Sequence, residues 1–494
     1  MTSSPPPDPA VVDYSRKWYI MAAIAMGIFL ATIDGSIVNV ALPTLVDDLN
    51  TNFSTIQWVV LSYMLTLTTL MLGIGRLADI RGKKRIYFAG FVLFTIGSLL
   101  CAVSNTVQML IAMRVAQAVG ASMILALGPA ITTEAFPSSE RGKALGVTGS
   151  MVSIGIISGP VIGGLILGQA SWHWIFLVNL PVGILGAWMV QRFVPDLPPV
   201  GGRRFDFAGA VTLFISMISL LLGLTFGQTV GFTAPAVLAL FASCLAFLAL
   251  FIFIELRVPE PMIDLRLFRN RLLRVNLFTG FMTFIANSGT ILLLPFYLQN
   301  ARRLDVTSVG LMMAVTPIAV GIVAPLSGSL SDRVGSRPIS VAGLFMLLVG
   351  FFSAATLTES TPVIGYVLRL LPIGLGMGLF QSPNNSAIMG SVPRRALGVT
   401  SGLLAVTRTL GQTVGISIMG AIWAARAIFH NNGQLIPGGP SSAPIPVQVP
   451  AMQDTLHVSA ALIVVGLVVA LWAFRNELRM RASAPAPQTS SEAD

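Results

Sequence analysis

Fourteen long apolar runs, separated by short polar connectors, make up most of this 494-residue chain. A membrane-spanning helix needs about 20 mainly apolar residues, which is close to the length of these runs. Only 10% of the residues are charged, whereas soluble domains carry about 25%. The sequence therefore predicts an all-α integral membrane protein with 14 transmembrane helices. The predicted spans are 19–43, 56–77, 86–103, 107–132, 144–167, 172–192, 207–227, 234–255, 272–298, 309–330, 339–357, 363–390, 397–425 and 456–474.

The basic residues indicate how the chain is oriented in the membrane. Most of the 30 Lys and Arg residues lie beside the termini or in connectors that follow even-numbered spans. Because basic connectors remain on the cytoplasmic side, we predict a multi-pass protein of the cytoplasmic membrane with both termini in the cytoplasm. The net charge of +10 comes from these connectors, so it does not predict a nucleic-acid partner.

One short motif occurs twice in the chain. Residues 75–85 read G-R-L-A-D-I-R-G-K-K-R, and residues 328–337 read G-S-L-S-D-R-V-G-S-R. Gly82 permits a tight turn, and we predict that Asp79 faces the start of the helix near 397–398, because helix N-termini attract carboxylates. The alternative is a generic basic loop. The predicted residues of this cytoplasmic latch are Gly75, Asp79, Gly82, Arg85, Arg141, Asp332 and Gly335.

The repeated motif predicts that the protein has two related halves. A second repeat supports them, because R-G-K-A-L-G-V-T from Arg141 is echoed by R-R-A-L-G-V-T from Arg394. The spans at 207–227 and 234–255 have no counterpart, so we predict two pseudo-symmetric six-helix bundles plus a two-helix insert, around a central transport cavity. The predicted units are a cytoplasmic tail (1–18), a first bundle (19–194), a linker with the insert (195–260), a second bundle (261–475) and a disordered cytoplasmic tail (476–494).

Asp34, Arg114 and Gln117 lie inside apolar spans, where charged side chains cost several kcal/mol unless they are paired or functional. At about 1.5 Å of rise per residue, Asp34 lies ~13 Å below the outer end of its span, and Arg114 and Gln117 lie ~9 Å and ~14 Å below theirs. Arg114 and Gln117 also share one helix face. The three side chains are therefore predicted to meet, as a proton site tuned by burial and charge or as a static ion pair.

Five stretches of the chain resemble the major facilitator superfamily, in its 14-helix drug:proton antiporter branch. They are the loop at 75–85, I-D-G-S-I-V-N-V-A-L-P around Asp34, R-V-A-Q-A-V-G-A from Arg114, G-I-I-S-G-P-V-I-G-G from Gly155 and W-H-W-I-F-L-V-N-L-P-V-G from Trp172. They follow the order of that family along the whole chain. The resemblance implies multidrug efflux, in which small amphiphilic compounds are exported in exchange for protons, with Asp34 and Arg114 in proton coupling.

The fifth span carries a strip of small residues with a proline. Small residues permit close packing of helices in a membrane. The resemblance to antiporters implies that this packing also seals the cavity against leak. The residues are Gly155, Gly159, Pro160, Gly163 and Gly164.

Seven residues are candidates for the wall of the substrate cavity. Aromatic residues near membrane ends also serve as interface anchors, and the two arginines can instead donate to backbone carbonyls. We assign Arg369 to the position of Arg114 in the second half, and we interpret Glu134, near Arg141, as a gate or a structural pair. We predict that the connector 426–455 is either a flexible cap or a segment that is tolerated without a function. The seven candidates are Asn39, Gln57, Trp58, Tyr63, Phe380, Arg369 and Arg408.

The sequence contains no familiar catalytic or metal-binding motif. The dipeptides at 82–83 and 142–143 lack the upstream glycine of a P-loop, and the three histidines with Cys101 and Cys244 form no catalytic or metal pattern. We therefore predict no enzyme activity, no cofactor and no metal. The rival functions are a metabolite exporter or proton symporter and, more remotely, a receptor or an embedded enzyme. The predicted partners are a small-molecule substrate, protons and the lipid bilayer, and the chain is predicted to act as a monomer.

Overall fold

The computed structural model describes residues 16–137, 141–196, 206–258, 261, 265–392 and 397–482. Helices dominate these residues, which contain no strand, and they form 13 helical segments that are long and apolar enough to cross a membrane. The predicted all-helical membrane fold is confirmed. The predicted N-terminal tail falls at 1–15, and most of the predicted C-terminal tail at 483–494, outside the described residues.

The helices follow the predicted apolar runs, with two of the runs interrupted. The sixth run breaks at Val178 and the tenth at Ala314, so each forms two helices, and the ninth run ends in a π-helical turn at Tyr297–Ala301. The helices are α1 (Lys17–Asp48), α2 (Phe53–Arg81), α3 (Lys83–Ala102), α4 (Val107–Ala135), α5 (Arg141–Leu167), α6 (Trp174–Leu177), α7 (Asn179–Phe193), α8 (Phe207–Val230), α9 (Pro235–Glu255), α10 (Arg271–Phe296), α11 (Val306–Met313), α12 (Val315–Val334), α13 (Ser336–Ala354), α14 (Val363–Gly390), α15 (Leu397–His430) and α16 (Ile445–Ala482). The fifth predicted span corresponds to α5, whose apolar part is the shorter segment Ile154–Leu167.

Short polar side chains define where several helices begin. The Asn52 carboxamide oxygen accepts a 2.9 Å hydrogen bond from the Thr55 backbone N–H before α2. The Thr106 hydroxyl accepts a 3.2 Å bond from the Met109 N–H before α4. These caps satisfy N–H groups that have no partner within the helix, so they help to end the connectors close to the predicted positions.

Two glycines make the tight turns of the repeated motif. Gly82 joins α2 to α3 with a φ of +95°, and Gly335 joins α12 to α13 with a φ of +97°. Residues with a Cβ atom rarely adopt these angles, whereas glycine does so without strain. The predicted turn at Gly82 is confirmed, and the second copy of the motif makes the same turn.

Helices α1–α7 and α10–α16, which we call the first half and the second half, cross at matching glycines. A Cβ atom on Gly90 of α3 would lie 3.1 Å from the carbonyl oxygen of Gly120 in α4. A Cβ atom on Gly343 of α13 would lie 2.9 Å from the carbonyl oxygen of Gly376 in α14. Only small residues let two backbones approach this closely, so these contacts align the two halves residue by residue.

A second matching contact extends this alignment. Gly97 packs on the backbone N of Gln117, where a Cβ atom would lie at 2.7 Å, and Gly350 packs on the backbone N of Ile373, where it would lie at 2.6 Å. Three residues before Gln117 and Ile373 stand Arg114 and Leu370. Leu370 is therefore the counterpart of Arg114, and the assignment of Arg369 is wrong by one residue, which is about 100° around a helix.

Helices α8 and α9 pack on each other, and α8 also contacts both halves. The Ser216 hydroxyl donates to the Cys244 carbonyl at 3.0 Å between the two helices. From α8, Met217 and Leu221 pack with Leu65 of α2, while Leu410 of α15 packs against the same group. Cys244 is buried, as is Cys101 in the first half, and neither forms a disulfide.

The long connector predicted at 426–455 is mostly helical, which corrects that interpretation. Helix α15 continues to His430 and α16 already begins at Ile445. The short segment between them is held by backbone contacts, since Asn300 Nδ2 donates to the Ser441 carbonyl at 3.1 Å and Gln448 Nε2 donates to it at 2.9 Å. Pro446, the second residue of α16, does not disturb it, because the first N–H groups of a helix have no acceptor within the helix.

Candidate functional site

A central cavity lies between the two halves, as the sequence predicts. Its walls come from α1, α2, α4 and α5 of the first half and from α10, α12, α14 and α15 of the second half, with one residue of α11. The lining residues are Ala31, Thr32, Gly35, Ser36, Asn39, Val60, Tyr63, Met64, Leu67, Leu125, Val152, Ile156, Pro160, Phe284, Asn287, Ser288, Thr290, Ile291, Leu294, Met313, Thr316, Pro317, Val320, Met377, Gln381, Arg408, Thr409, Gln412 and Ile416.

The halves meet at one end of this cavity, which we call the far side. It is the end at which α1 finishes and α16 starts, because Gln299 beyond α10 donates to the Val40 carbonyl and its neighbour Asn300 donates to the Ser441 carbonyl. Here α5 and α11 touch through Gly164 and Gly310, where a Cβ atom on Gly164 would lie 2.9 Å from the Gly310 Cα.

Further contacts reinforce the far side. The Thr307 hydroxyl donates to the Gly164 carbonyl at 3.1 Å. The Phe53 ring of α2 lies edge-on to Phe296 and Trp423 of the second half, with centroids 5.3 Å and 4.7 Å apart.

At the start of α11, hydrogen bonds from the Ser308 hydroxyl and backbone N–H hold the pKa of the Asp305 carboxyl below its usual range.

The glycine strip of α5 faces two partners. Gly155, Gly159 and Gly163 pack on α1, where the Ser36 hydroxyl donates to the Gly155 carbonyl at 3.1 Å. Gly164, one position on, packs instead on α11 of the other half, and the Pro160 carbonyl touches Gly310. The strip therefore fixes α5 within the first half and also joins the two halves.

Asp34, Arg114 and Gln117 meet in the interior of the first half, as predicted. Arg114 Nη1 donates to Asp34 Oδ2 at 2.6 Å and to Gln117 Oε1 at 2.7 Å, while Gln117 Nε2 donates to Asp34 Oδ1 at 2.8 Å. Arg114 Nε also donates to the Val59 carbonyl at 3.1 Å. The relative exposure of Asp34 and Gln117 is 0% and that of Arg114 is 1%, so the ion pair is shielded from water.

Two further residues complete this polar network and were missed by the sequence reasoning. Asn179, at the start of α7, donates to Asp34 Oδ1 at 2.9 Å and to the Ser98 hydroxyl at 3.0 Å. Gln117 also donates to Ser98, and Ser98 donates to the Phe176 carbonyl at 2.9 Å. Asn179 stands inside the quoted stretch from Trp172, where a lone amide in an apolar run is the signal that could have identified it.

Tyr63 separates the ion pair from the cavity. The Arg114 guanidinium carbon lies 4.0 Å from the centre of the Tyr63 ring, a cation–π distance, and Tyr63 also lines the cavity. The Tyr63 hydroxyl donates to the Ala31 carbonyl at 3.3 Å, which fixes the ring. The Tyr63 ring therefore lies between the Arg114 guanidinium and the cavity.

The predicted cavity residues divide into two groups. Asn39, Tyr63 and Arg408 line the cavity, and Asn39 donates to the Gly35 carbonyl of its own helix at 3.1 Å. Gln57, Trp58, Phe380 and Arg369 lie elsewhere, which corrects their assignment.

Each misplaced candidate has a physical reason for its position. Gln57 is buried against Gly420 at the far side, and Trp58 packs toward α8. Phe380 is buried where α14 crosses α13. Arg369 points away from the cavity, donating to the Thr356 hydroxyl at 2.8 Å and to the Gly365 carbonyl at 3.0 Å.

The latch residues are described only in part. The side chains of Asp79, Arg141 and Asp332 lie outside the described residues, as do those near 397–398, so the predicted contact of Asp79 stays a prediction. Gly75 has open space around its Cα, and Arg85 is exposed. Lys83 pairs with Glu134 between the start of α3 and the end of α4, a structural pair of the kind predicted, with a different partner from Arg141.

The described residues contain no cluster of three His, Cys, Asp or Glu side chains that could hold a metal ion. The site contains a buried carboxylate, a guanidinium beside it, and a cavity shared by both halves. The cavity-lining helices α1, α2 and α5 of the first half continue to the closing contacts of the far side.

Comparison with known proteins points in the same direction. The Major Facilitator Superfamily profile matches residues 24–416 of this chain. The riboflavin transporter RibZ of Clostridioides difficile (strain 630) is 36% identical over 464 residues, which are 93% of this chain and 98% of that protein. The multidrug transporter protein MdtP of Bacillus subtilis (strain 168) is 30% identical over 424 residues, covering 86% of this chain and 78% of that protein. A crystal structure of a bacterial homolog of the human lysosomal transporter Spinster, inward-facing and unoccupied, has a TM-score of 0.68 at 15% identity and covers 96% of this chain and 99% of its own.

Proposed function

The chain belongs to the Major Facilitator Superfamily, and we propose that it exports small amphiphilic compounds in exchange for protons by alternating access. Members of this family are transporters, not enzymes. The multidrug relative MdtP supports drug efflux for this chain. A cavity lined by Phe284, Ile291 and other apolar residues, beside polar ones such as Gln412, suits amphiphiles.

The observation that carries the proposal is the buried pair of Asp34 and Arg114 behind Tyr63. A proton that binds Asp34 removes the charge that holds Arg114, and leaves a buried guanidinium without its counter-ion. The protein then favours a conformation in which Arg114 finds another acceptor or water. Each pH unit across the membrane changes the free energy of that protonation by about 1.4 kcal/mol, which is the driving force for export.

Alternating access requires the two ends of the cavity to open in turn. We infer that the glycine contacts between α5 and α11 are the closed gate at the far side, and that the repeated loops form the gate at the other side. Gly75, Asp79, Gly82, Arg85, Arg141, Asp332 and Gly335 are its proposed residues. Small interfaces without side-chain interlock separate at low cost, so the halves rock about the midplane cavity.

We propose the predicted topology for this carrier. It has 14 spans, with α5 as the fifth and with α8 and α9 as the insert between two six-helix bundles. Both termini lie in the cytoplasm, the far side faces outward, and the chain works as a monomer in the cytoplasmic membrane. The basic connectors support this orientation, because they lie on the side opposite the far side.

Transport by the purified full chain in proteoliposomes tests the proposal. An imposed pH gradient is expected to drive at least one amphiphile of a panel that contains riboflavin, ethidium and 2-naphthoate against its concentration gradient, with protons moving in the opposite direction. Asp34→Asn is expected to reduce the gradient-driven flux by at least about tenfold, equivalent to ~1.4 kcal/mol. Asp48→Asn, an exposed acid on the same helix, is the matched control and should transport as the unaltered chain does. Proton-driven transport that survives Asp34→Asn would refute this coupling site.

The second candidate function is a metabolite carrier on the same scaffold. It is favoured by the high similarity to the riboflavin transporter RibZ over nearly the whole chain. The same proteoliposomes distinguish the candidates, since a symporter moves solute and protons in the same direction. Flux of riboflavin without flux of any other amphiphile of the panel would identify a metabolite carrier, and absence of all flux would indicate a receptor.

A further inference from the structure

Arg408 is a charged side chain in the cavity that has no partner among the described residues. It lies on α15, lines the second-half wall, and is the one Asp, Glu, Lys or Arg among the cavity-lining residues of the described chain. No hydrogen bond or ion pair joins it to any other described residue, and its side chain is only partly buried. Asp34, the buried acid of the first half, is already held by Arg114, whose guanidinium lies against the Tyr63 ring.

An unpaired guanidinium in a cavity selects what can bind there. Water can solvate it while the cavity is hydrated, but a solute that displaces this water leaves the charge without compensation, at a cost of several kcal/mol. A cationic or neutral solute cannot supply the missing charge. An oxyanion can, because the planar guanidinium donates two parallel hydrogen bonds to a carboxylate or a related group.

The neighbouring residues extend this site toward an amphiphile. Gln412 stands one helical turn beyond Arg408, and Gln381 of α14 lines the same cavity. Neither carboxamide has a hydrogen-bond partner among the described residues, so both can bind polar groups of a solute. The remaining second-half wall is mainly apolar, with Phe284, Met313 and other large side chains that suit a hydrophobic body.

We propose that the second-half wall binds an amphiphile that carries one oxyanion, with Arg408 as its counter-ion and Gln412 and Gln381 as hydrogen-bonding neighbours. This inference rests on the proposed export function, for which it names the class of substrate. The first half then carries the proton site, and the second half recognises the charge of the solute.

Binding of a matched series of small probes to the full chain in nanodiscs tests this inference without a proton gradient. The series is 2-naphthoate, 2-naphthalenesulfonate, the neutral 2-naphthamide and the cationic 2-naphthylmethylammonium, each measured by equilibrium dialysis. A charge-assisted bond of ~1.5 kcal/mol or more predicts that naphthoate binds at least about tenfold more tightly than naphthamide. Comparison of naphthoate with the sulfonate tells a carboxylate preference from a preference for any oxyanion.

Variants then identify the residue. Arg408→Gln is expected to bring the dissociation constants of naphthoate and naphthamide to within about threefold, whereas Arg408→Lys, which keeps the charge, retains most of the preference. Arg369→Gln is the matched control, because Arg369 is bonded outside the cavity. Equal binding of anionic and neutral probes by the unaltered chain, or undiminished naphthoate binding by Arg408→Gln, would overturn the inference.

The two proposals fail separately. Naphthoate binding that depends on Arg408, in a chain without proton-driven transport, would overturn the proposed antiport and keep the anion site. Proton-driven transport of ethidium, in a chain that binds the naphthyl probes equally, would keep the antiport and overturn the anion site.

Discussion

The two halves share their helix packing at the level of single glycines, but they fill equivalent interior positions with opposite chemistry. In the first half, Asp34, Ser98, Arg114 and Gln117 form a closed polar network. The glycine contacts align Arg114, Gln117 and Ser98 with Leu370, Ile373 and Phe351. Ser36 and Ser288 occupy equivalent positions, because each donates a 3.1 Å hydrogen bond to a backbone carbonyl of the fifth membrane span in its half. Two residues before them stand Asp34 and Ala286, which are therefore equivalent as well.

The comparison shows that this scaffold does not need a buried ion pair. Ala286, Leu370, Ile373 and Phe351 are all buried, with relative exposures of 0% to 1%, so an apolar core fills the same space. Replacement of a buried ion pair by packed apolar residues is often neutral or stabilising. The packing of the scaffold therefore does not require the polar network of the first half, which is what the proposed role in proton coupling leads us to expect.

The largest expected effect on stability comes from replacing Arg114 of the first half by leucine, the residue at the equivalent position of the second half. Arg114→Leu copies Leu370 and leaves Asp34 as an unpaired buried carboxylate, which costs about 3–5 kcal/mol unless it binds a proton. We expect a strongly lowered midpoint of thermal unfolding in detergent at pH 8. The loss should be smaller at pH 5, because protonation removes the unpaired charge.

The double variant Asp34→Ala with Arg114→Leu copies both positions of the second half. It removes the two charges together, so we expect it to recover most of the stability lost in Arg114→Leu while proton coupling stays absent. The same unfolding measurement checks this expectation. A double variant as unstable as the single one would show that the network holds the first half together, and the functional explanation would fail.

The sequence predicted much of this molecule because its signals are local. Apolar runs of spanning length identify helices, and the spacing of Arg114 and Gln117 puts both on one face. The depth of a residue along a helix can be counted from the sequence. The direction in which its side chain points around the helix axis is harder to predict, since a shift of one residue rotates it by about 100°. For that reason a count along the sequence assigns Arg369 to the position of Arg114, although Leu370 occupies it.

Residues that depend on tertiary contacts could not be found from the sequence. Asn179 and Ser98 join the Asp34 network only because α3 and α7 pack beside α1 and α4. Gln57 and Trp58 are adjacent in sequence, yet one faces Gly420 and the other faces α8. The connector 426–455 is rich in proline, but Pro437, Pro440 and Pro444 precede α16, Pro446 is in its first turn, and the helix continues through Pro450.

The closing contacts of the far side offer a second comparison between the halves. Gly164 of α5 touches Gly310 of α11, and Gly420 of α15 touches Gln57 of α2, so each fifth helix meets the second helix of the other half. The first contact is between two glycines. The second brings a glycine against an amide whose Nε2 and Oε1 atoms are buried without a hydrogen-bond partner among the described residues.

Gly310→Ala is expected to open the far side. Its Cβ atom would collide with the Pro160 carbonyl, a rigid backbone group, so the two halves must separate at a cost of about 1–3 kcal/mol to the closed form. A cysteine in place of Thr307, which is covered by Gly164 in the closed form, should then react severalfold faster with an impermeant maleimide. Gly466→Ala, where a Cβ atom meets only Met282 at 3.9 Å, is the control and should leave the rate unchanged.

Gln57→Met is expected to have the opposite and smaller effect. Methionine has nearly the same shape but lacks the two unsatisfied polar atoms, whose burial costs about 1–2 kcal/mol. The closed form should therefore be stabilised, with slower labelling of the same cysteine and slower turnover. In combination with Gly310→Ala the two changes should partly cancel, and faster labelling by Gln57→Met alone would contradict this account of the amide.

The smallest effect is expected at Arg369, and it decides whether the alignment of the halves is right. Arg369→Gln removes hydrogen bonds to Thr356 and to the Gly365 carbonyl at a partly exposed position, so the loss of stability should be about 1 kcal/mol or less. Transport, its pH dependence and probe binding should not change. If Arg369 were instead the functional counterpart of Arg114, its substitution would reduce coupling as strongly as Asp34→Asn does. A shift in the pH profile of transport in Arg369→Gln would therefore show that the alignment of Arg114 with Leu370 is wrong. The proposal that the two halves have different roles would then lose its basis.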